Sequence, residues 1–197
     1  MKIKEINRMV VKIGSSLLID KDKGVNNNFL NNISEDILSL KKGGIETLVV
    51  SSGAIELGKI ELNKTKEKFN LAESQAASSI GQIKLINAWK DSLGKFDLNA
   101  AQILITAEDT ENRKRFLNAR STIEELVREK YIPIINENDT VATSEIRYGD
   151  NDRLAARIAG MVAADCLILL SNVEGLYEKD PSNEESRLIS NVEIIDK

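Results

Sequence analysis

The sequence predicts an α/β fold, a three-layer αβα sandwich around a mainly parallel sheet. Three observations carry this. Short runs that are apolar throughout recur along the chain, as strands buried on both faces require. Between them lie longer stretches with apolar residues at three-or-four spacing, as in amphipathic helices. Each apolar run ends in small, amide or acidic residues, which in an open parallel sheet collect along one edge. With 197 residues, no internal repeat and no linker, the chain reads as a single domain, 1–197.

Residues 9–13 form a first apolar strand broken by Lys12 and followed by Gly14-Ser15-Ser16. Residues 26–42 read as a helix with Phe29, Ile33, Ile37 and Leu40 on one face and Gly43-Gly44 as its stop. Residues 47–50 are a second strand, leaving through Ser51-Ser52-Gly53-Ala54. A short helix over 55–62 and a lysine-rich loop over 63–70 follow. A long helix is predicted over 71–95, with Ala76, Ile80, Ile83, Ile86, Trp89 and Leu93 as its inner face. Residues 100–105 make a third strand. Phe116, Ala119, Ile123 and Leu126 mark a helix ending near Lys130. Residues 132–135 are a fourth strand, with Pro133 near its start, where a missing N–H is tolerated. Residues 140–148 alternate loosely, as in a hairpin over the site. Leu154, Ile158 and Val162 define another helix, 166–170 a fifth strand, and a polar loop after Asp180-Pro181 leads to an apolar run over 192–195.

Composition excludes several classes of chemistry. There is no histidine, so no His-based triad, His general base or His metal site is available. Cys166 is the single cysteine, which forbids an intramolecular disulfide and suits a reducing, cytoplasmic location. A formal charge of -4 with interspersed cations gives no nucleic-acid footprint. No apolar run reaches membrane-spanning length and no signal-peptide core is present.

The densest chemistry lies within residues 134–152. Asn136-Glu137-Asn138-Asp139 leaves one strand, and Gly149-Asp150-Asn151-Asp152 enters the next helix. Amides donate to a carboxylate and acids accept from an ammonium, so such a rim suits a small amino acid. Each piece also has a plainer reading. Lys12 before Gly14 either covers a phosphate or snorkels to solvent. Ser52 either donates to an anion or caps a helix, and Asp150 or Asp152 caps the helix near Leu154. Two caps do not account for that much polar chemistry a dozen residues apart. Asp139, Asp150 and Asp152 admit a Mg²⁺ role, since that ion needs only one or two carboxylates when phosphates supply the rest. No residue is assigned as a metal ligand.

Together these residues resemble the amino-acid kinase family over nearly the whole chain. Val10-Val11-Lys12-Ile13-Gly14-Ser15-Ser16 is similar to its opening phosphate-binding strand, and Ser51-Ser52-Gly53-Ala54-Ile55 to its second loop. Phe116-Leu117-Asn118-Ala119-Arg120, and above all Asn136 to Asp139 with Gly149 to Asp152, resemble the branch that phosphorylates the side chain of L-glutamate. The resemblance implies the family's fold and the reaction of ATP with L-glutamate to give L-glutamyl 5-phosphate and ADP, the first step toward proline, with Mg²⁺. It implies that Lys12 neutralises the transferring phosphoryl group and that Asp152 orients Lys12. Ser52, Gly53, Asn136, Asp139 and Asn151 would hold glutamate; Lys12, Gly14, Ser15, Ser171 and Asn172 would lie at the nucleotide. It also implies feedback inhibition by L-proline and a homo-oligomer, dimer or tetramer.

Two departures stand beside it. Ser171-Asn172 replaces the family's usual Thr-Asp, exchanging an acid for an amide. The family's domain also continues with a Gly-rich segment bearing a second lysine, which nothing before Lys197 matches. The expectation is a fold incomplete at its C-terminus. Either another chain supplies the rest, or the chain is a glutamate- or proline-binding relative with weak or no catalysis.

Overall fold

The computed structural model describes residues 5–20, 22–142, 151–183 and 185–193. In chain order the elements are β1 (Arg8–Ile13), α1 (Ser15–Leu18), β2 (Ile19–Asp20), β3 (Gly24–Val25), α2 (Asn27–Lys42), β4 (Glu46–Ser51), α3 (Ala54–Glu61) and α4 (Leu71–Gly94). These are followed by β5 (Asn99–Ile105), α5 (Ala107–Glu111), α6 (Arg113–Arg128), β6 (Tyr131–Glu137), α7 (Asn151–Met161), β7 (Cys166–Leu170), β8 (Leu176–Tyr177) and β9 (Leu188–Ile189). The main sheet has five strands in the order β5-β6-β4-β1-β7, and every pairing in it is parallel. Two short antiparallel pairs, β2 with β3 and β8 with β9, lie outside it; neither is evident in the sequence pattern.

Strand alternation divides the core in two. Met9, Val11 and Ile13 of β1, Val49 of β4 and Ile132 and Ile134 of β6 face one layer, where Leu30, Ile37, Leu57, Leu85, Trp89 and Leu93 of α2, α3 and α4 cover them. Val10, Leu48, Val50 and Ile135 face the other, under Ile123 of α6 and Leu154, Ala155, Ile158 and Met161 of α7. Helices on both faces give the three layers that uniformly apolar strands require. Pro133 sits opposite Ala101 in the β5–β6 ladder, but the β4–β6 pairing begins only at Ile134, so its missing N–H falls before that second ladder.

The helix starts follow local chemistry. The Asn26 side chain accepts from the Phe29 N–H at the head of α2, and Asn70 with Glu73 closes a capping box at the head of α4. Thr106 and Asp109 form another around α5, a helix the sequence pattern does not mark because it buries no residue.

The inner face of α4 is the expected one at Trp89 and Leu93, both fully buried, with Ile86 packed on the core, but differs over the first half of the helix. Ile83 is 63% exposed and Ala76 is exposed, whereas Ser74, Ala77, Ser78, Gly81, Gln82 and Leu85 are buried. The cause is the close approach of α3. A Cβ on Gly81 would sit 1.8 Å from the Ala54 carbonyl oxygen, and one on Gly58 1.8 Å from that of Ala77. The two helices touch backbone to backbone, so small and polar residues, not the isoleucines, occupy the contact. Residues 143–150, which include most of the expected hairpin and Asp150, and residues 194–197 at the expected last run lie outside the described residues.

Candidate active site at the carboxyl edge of the sheet

The register sets Ile13 beside both Ser51 and Leu170, so β1, β4 and β7 end level with one another. Leu104 pairs with Asn136, which brings the end of β6 to the same edge. Lys12, Gly14, Ser52, Asn136 and Ser171 therefore share one rim.

Lys12 points to the α7 face. Its Nζ lies 2.7 Å from Asp152 Oδ1, with the lysine side chain 10% exposed and the aspartate 53%. A cation this buried needs a partner, and α7 supplies it from its first turn. Lys12 does not snorkel outward, and Asp152 is engaged across the rim; Asp150, the other candidate cap of this helix, lies outside the described residues. Gly14 stands over this pair. It has an ordinary extended backbone, φ -69 and ψ 150. A Cβ here would lie 3.8 Å from Lys12 Nζ. The Gly14 N–H donates to the Leu170 carbonyl at 3.0 Å and so is not available to an anion. Ser15 opens α1 immediately after it.

The α4 face carries the amides. Asn151 Nδ2 donates to Ser52 Oγ at 2.8 Å and to Asn136 Oδ1 at 3.1 Å. Asn136 Oδ1 also accepts from the Glu137 N–H at 2.9 Å, and Asn136 Nδ2 donates to Gln82 Oε1 at 2.8 Å. Ser52 caps no helix. The N-cap of α3 is Gly53, which makes no side-chain capping bond. Gly53 holds φ +110, and a Cβ there would meet Ile19 at 2.9 Å, so this turn accepts glycine and little else. Beneath it, Trp89 Nε1 donates to Ser51 Oγ at 2.9 Å, tying the end of β4 to α4.

Asp139 is buried and accepts from Ser78 Oγ at 2.5 Å. Burial raises its pKa above the usual carboxylate value, and the Ser78 hydroxyl offsets part of that. Beside it, between α4 and the ends of β5 and β6, lies a cleft of about 240 Å³ reached by Ser78, Gln82, Gln102, Glu137 and Asp139. A second cavity, about 450 Å³, lies at the amino end of the sheet among Lys41, Glu46, Arg128 and Tyr131, away from this rim. Ser171 and Asn172 are exposed just past β7, where Ser171 Oγ donates to Asn172 Oδ1 at 3.3 Å.

The raised pKa of Asp139 carries a stability consequence. An acid whose folded pKa exceeds its unfolded one favours folding fully below the unfolded value and loses that contribution as pH rises through the folded value. Asp139→Asn keeps an acceptor for Ser78 and removes the buried charge. Its urea midpoint is expected to exceed the parent's at pH 7.5, and the gap to close near pH 4. A gap independent of pH would show that the carboxylate carries no burial cost.

The sequence pattern found the rim but not its supports. Gln82, Ser78 and Trp89 sit in a helix that reads as ordinary core. Their one signal is that Ser78 and Gln82, both polar, share a buried face one turn apart.

A three-layer fold thus carries a lysine–aspartate pair and an amide cluster on one sheet edge. The chain belongs to the amino acid kinase family, whose profile matches residues 7–196. Over 195 residues it is 53% identical to the glutamate 5-kinase of Brucella ovis, and equally to those of Brucella canis and Brucella suis. These matches cover 98% of this chain and 52% of each relative, so the chain spans about half the length of the curated relatives it matches.

Proposed function

We propose that this chain carries the glutamate site of a kinase that transfers the γ-phosphoryl group of ATP to the side-chain carboxylate of L-glutamate. The products are L-glutamyl 5-phosphate and ADP, the first step toward proline. In this reading residues 1–197 are the substrate-binding part of an amino-acid kinase domain. The observation that carries the reading is the Lys12–Asp152 pair facing the Asn151–Ser52–Asn136 cluster across one rim, in a chain 53% identical to glutamate 5-kinases.

The chemistry fits the residues. A glutamate carboxylate is already ionised at neutral pH, with a reference pKa of about 4.3, so no general base is needed and the lack of histidine costs nothing. Phosphoryl transfer depends chiefly on alignment and on stabilising charge. Lys12, held by Asp152, neutralises charge on the phosphoryl group in flight. Gly14 leaves the room above it, Ser15 offers the next amide, and Ser171 with Asn172 borders the nucleotide. The Asp139 carboxylate pairs with the substrate ammonium; Ser52, Asn136 and Asn151 orient the substrate's carboxylates, and Gly53 shapes the turn that presents Ser52.

Among the described residues no three potential ligands gather into a metal cage. In this reading Mg²⁺ would arrive with the nucleotide, ligated mainly by phosphate oxygens. When bound, the ion shields the phosphate charge; the protein's own share is Lys12 and the backbone. Proline inhibition and self-association belong to this proposal. No described helix is long and apolar enough to cross a membrane, and a cytoplasmic location is part of the same reading.

Glutamate-dependent ADP release by the 197-residue chain with Mg-ATP tests it. Turnover above a Lys12→Ala blank supports the reading. No turnover with retained glutamate binding reassigns the chain to amino-acid binding, and neither activity nor binding rejects the glutamate site. Asp152→Asn is expected to abolish turnover while leaving glutamate affinity near the parent's, because it removes the counter-charge of Lys12 and touches none of the amides. Equal turnover in mutant and parent would remove Asp152 from its role.

A further inference from the structure

We propose that Gln82, in the interior of α4, is a positioning residue for the substrate amides. By clamping Asn136, it turns the Ser52 hydroxyl outward as a donor. This rests on the glutamate site proposed above.

Gln82 and Asn136 are 9% and 4% exposed, so a polar atom left unpaired on either has no water to turn to. The Asn136 carboxamide is held at both ends. The Glu137 N–H, a backbone donor with no freedom to invert, fixes the oxygen at 2.9 Å. Gln82 Oε1 fixes the nitrogen at 2.8 Å. With the plane set, Asn136 Oδ1 presents an acceptor to Asn151, which must answer with its NH₂ group at 3.1 Å. The same nitrogen donates to Ser52 Oγ at 2.8 Å. A hydroxyl has one proton and two lone pairs. With a lone pair of Ser52 taken by Asn151, its proton is free to point at an anion. The polarity of the rim is thus set by the Glu137 N–H and locked by Gln82: Gln82 accepts, Asn136 relays, Asn151 donates, and Ser52 is left as donor.

One turn earlier on the same helix face, Ser78 holds the Asp139 carboxylate at 2.5 Å. Two residues four apart on α4 therefore fix the two halves of an amino-acid site, one reading the ammonium and one the carboxylate. This also explains why polar side chains occupy a buried helix face while Ile83, one position on, is turned to solvent.

The test compares Gln82→Met, which keeps the length and loses the acceptor, with Gln82→Glu, which keeps the acceptor. Calorimetric titration of the full chain with L-glutamate is expected to show affinity about 10- to 100-fold weaker in Gln82→Met, the range that an orphaned buried donor implies. Gln82→Glu should stay close to the parent, and Mg-ATP affinity should be unchanged in both. Parent-like glutamate affinity in Gln82→Met, or equal loss in both variants, overturns the proposal. A second readout needs no substrate: exchange of the Asn136 and Asn151 side-chain amide protons by NMR. Faster exchange in Gln82→Met than in Gln82→Glu supports the clamp, and unchanged protection refutes it. If the parent binds no glutamate, the proposed function falls by itself and the amide exchange still decides the role of Gln82.

Discussion

Gly81→Ala is expected to lower the stability of the fold by about 3 kcal/mol or more, the upper range for forcing a methyl group into a close-packed contact. The new Cβ would lie 1.8 Å from the Ala54 carbonyl oxygen and 2.5 Å from the Gly58 nitrogen. Both are main-chain atoms inside α3, so no side-chain rotation relieves the clash; α3 and α4 must separate. For a chain of this length that corresponds to a fall in Tm of roughly 6–12 °C. Gly58→Ala meets the Ala77 backbone in the same crossing. The double mutant should therefore fall short of the sum, because helices pushed apart once already make room for the second methyl. Urea unfolding of the parent, the two single variants and the double variant measures this. Full additivity, or a Tm within a degree or so of the parent for Gly81→Ala, would show that the helices do not touch. The same separation would move Ser78 and Gln82, so loss of glutamate binding should accompany the loss of stability.

Lys12→Ala is expected to cut glutamate-dependent ADP release by about 10²- to 10³-fold, the usual loss on removing one preorganised group that stabilises transition-state charge. Glutamate affinity should stay near the parent's. The reason is the sidedness of the sheet: Lys12 faces α7, while Asn136 faces α4 and Asp139 lies against Ser78. Stability should change little, because the deletion removes a buried cation together with its desolvation cost and leaves a half-exposed Asp152. Steady-state kinetics paired with calorimetry separates the two effects. A rise in KM for glutamate with unchanged kcat would move Lys12 from the phosphoryl group to the substrate side.

Much of this rim is legible in the sequence because strands announce both their faces and their ends. Lys12 stands out in a Val-Ile strand, and Asn136 follows Ile134-Ile135 at a strand exit. A parallel topology then forces such exits together. The helix α5 is not legible, since it buries nothing and so has no apolar period. The first half of the α4 face, around Ala76 and Ile83, is misread for a related reason. Periodicity weighs isoleucine above serine, glutamine and glycine, whereas here Gly81 admits the backbone of α3 and Ser78 and Gln82 hold site residues.

Local patterns alone specify the layers, the parallel sheet, the edge on which the chemistry gathers and the absence of histidine chemistry. All of these follow from local patterns of burial and from residue type. Which groups meet across that edge emerges from the folded packing: Lys12 with Asp152, Asn151 with Ser52 and Asn136, Ser78 with Asp139. Hydrogen bonds and ion pairs depend on distances of a few tenths of an ångström. Between residues 15 to 140 positions apart, those distances are set by the packing of whole helices against the sheet, which no local stretch of sequence encodes.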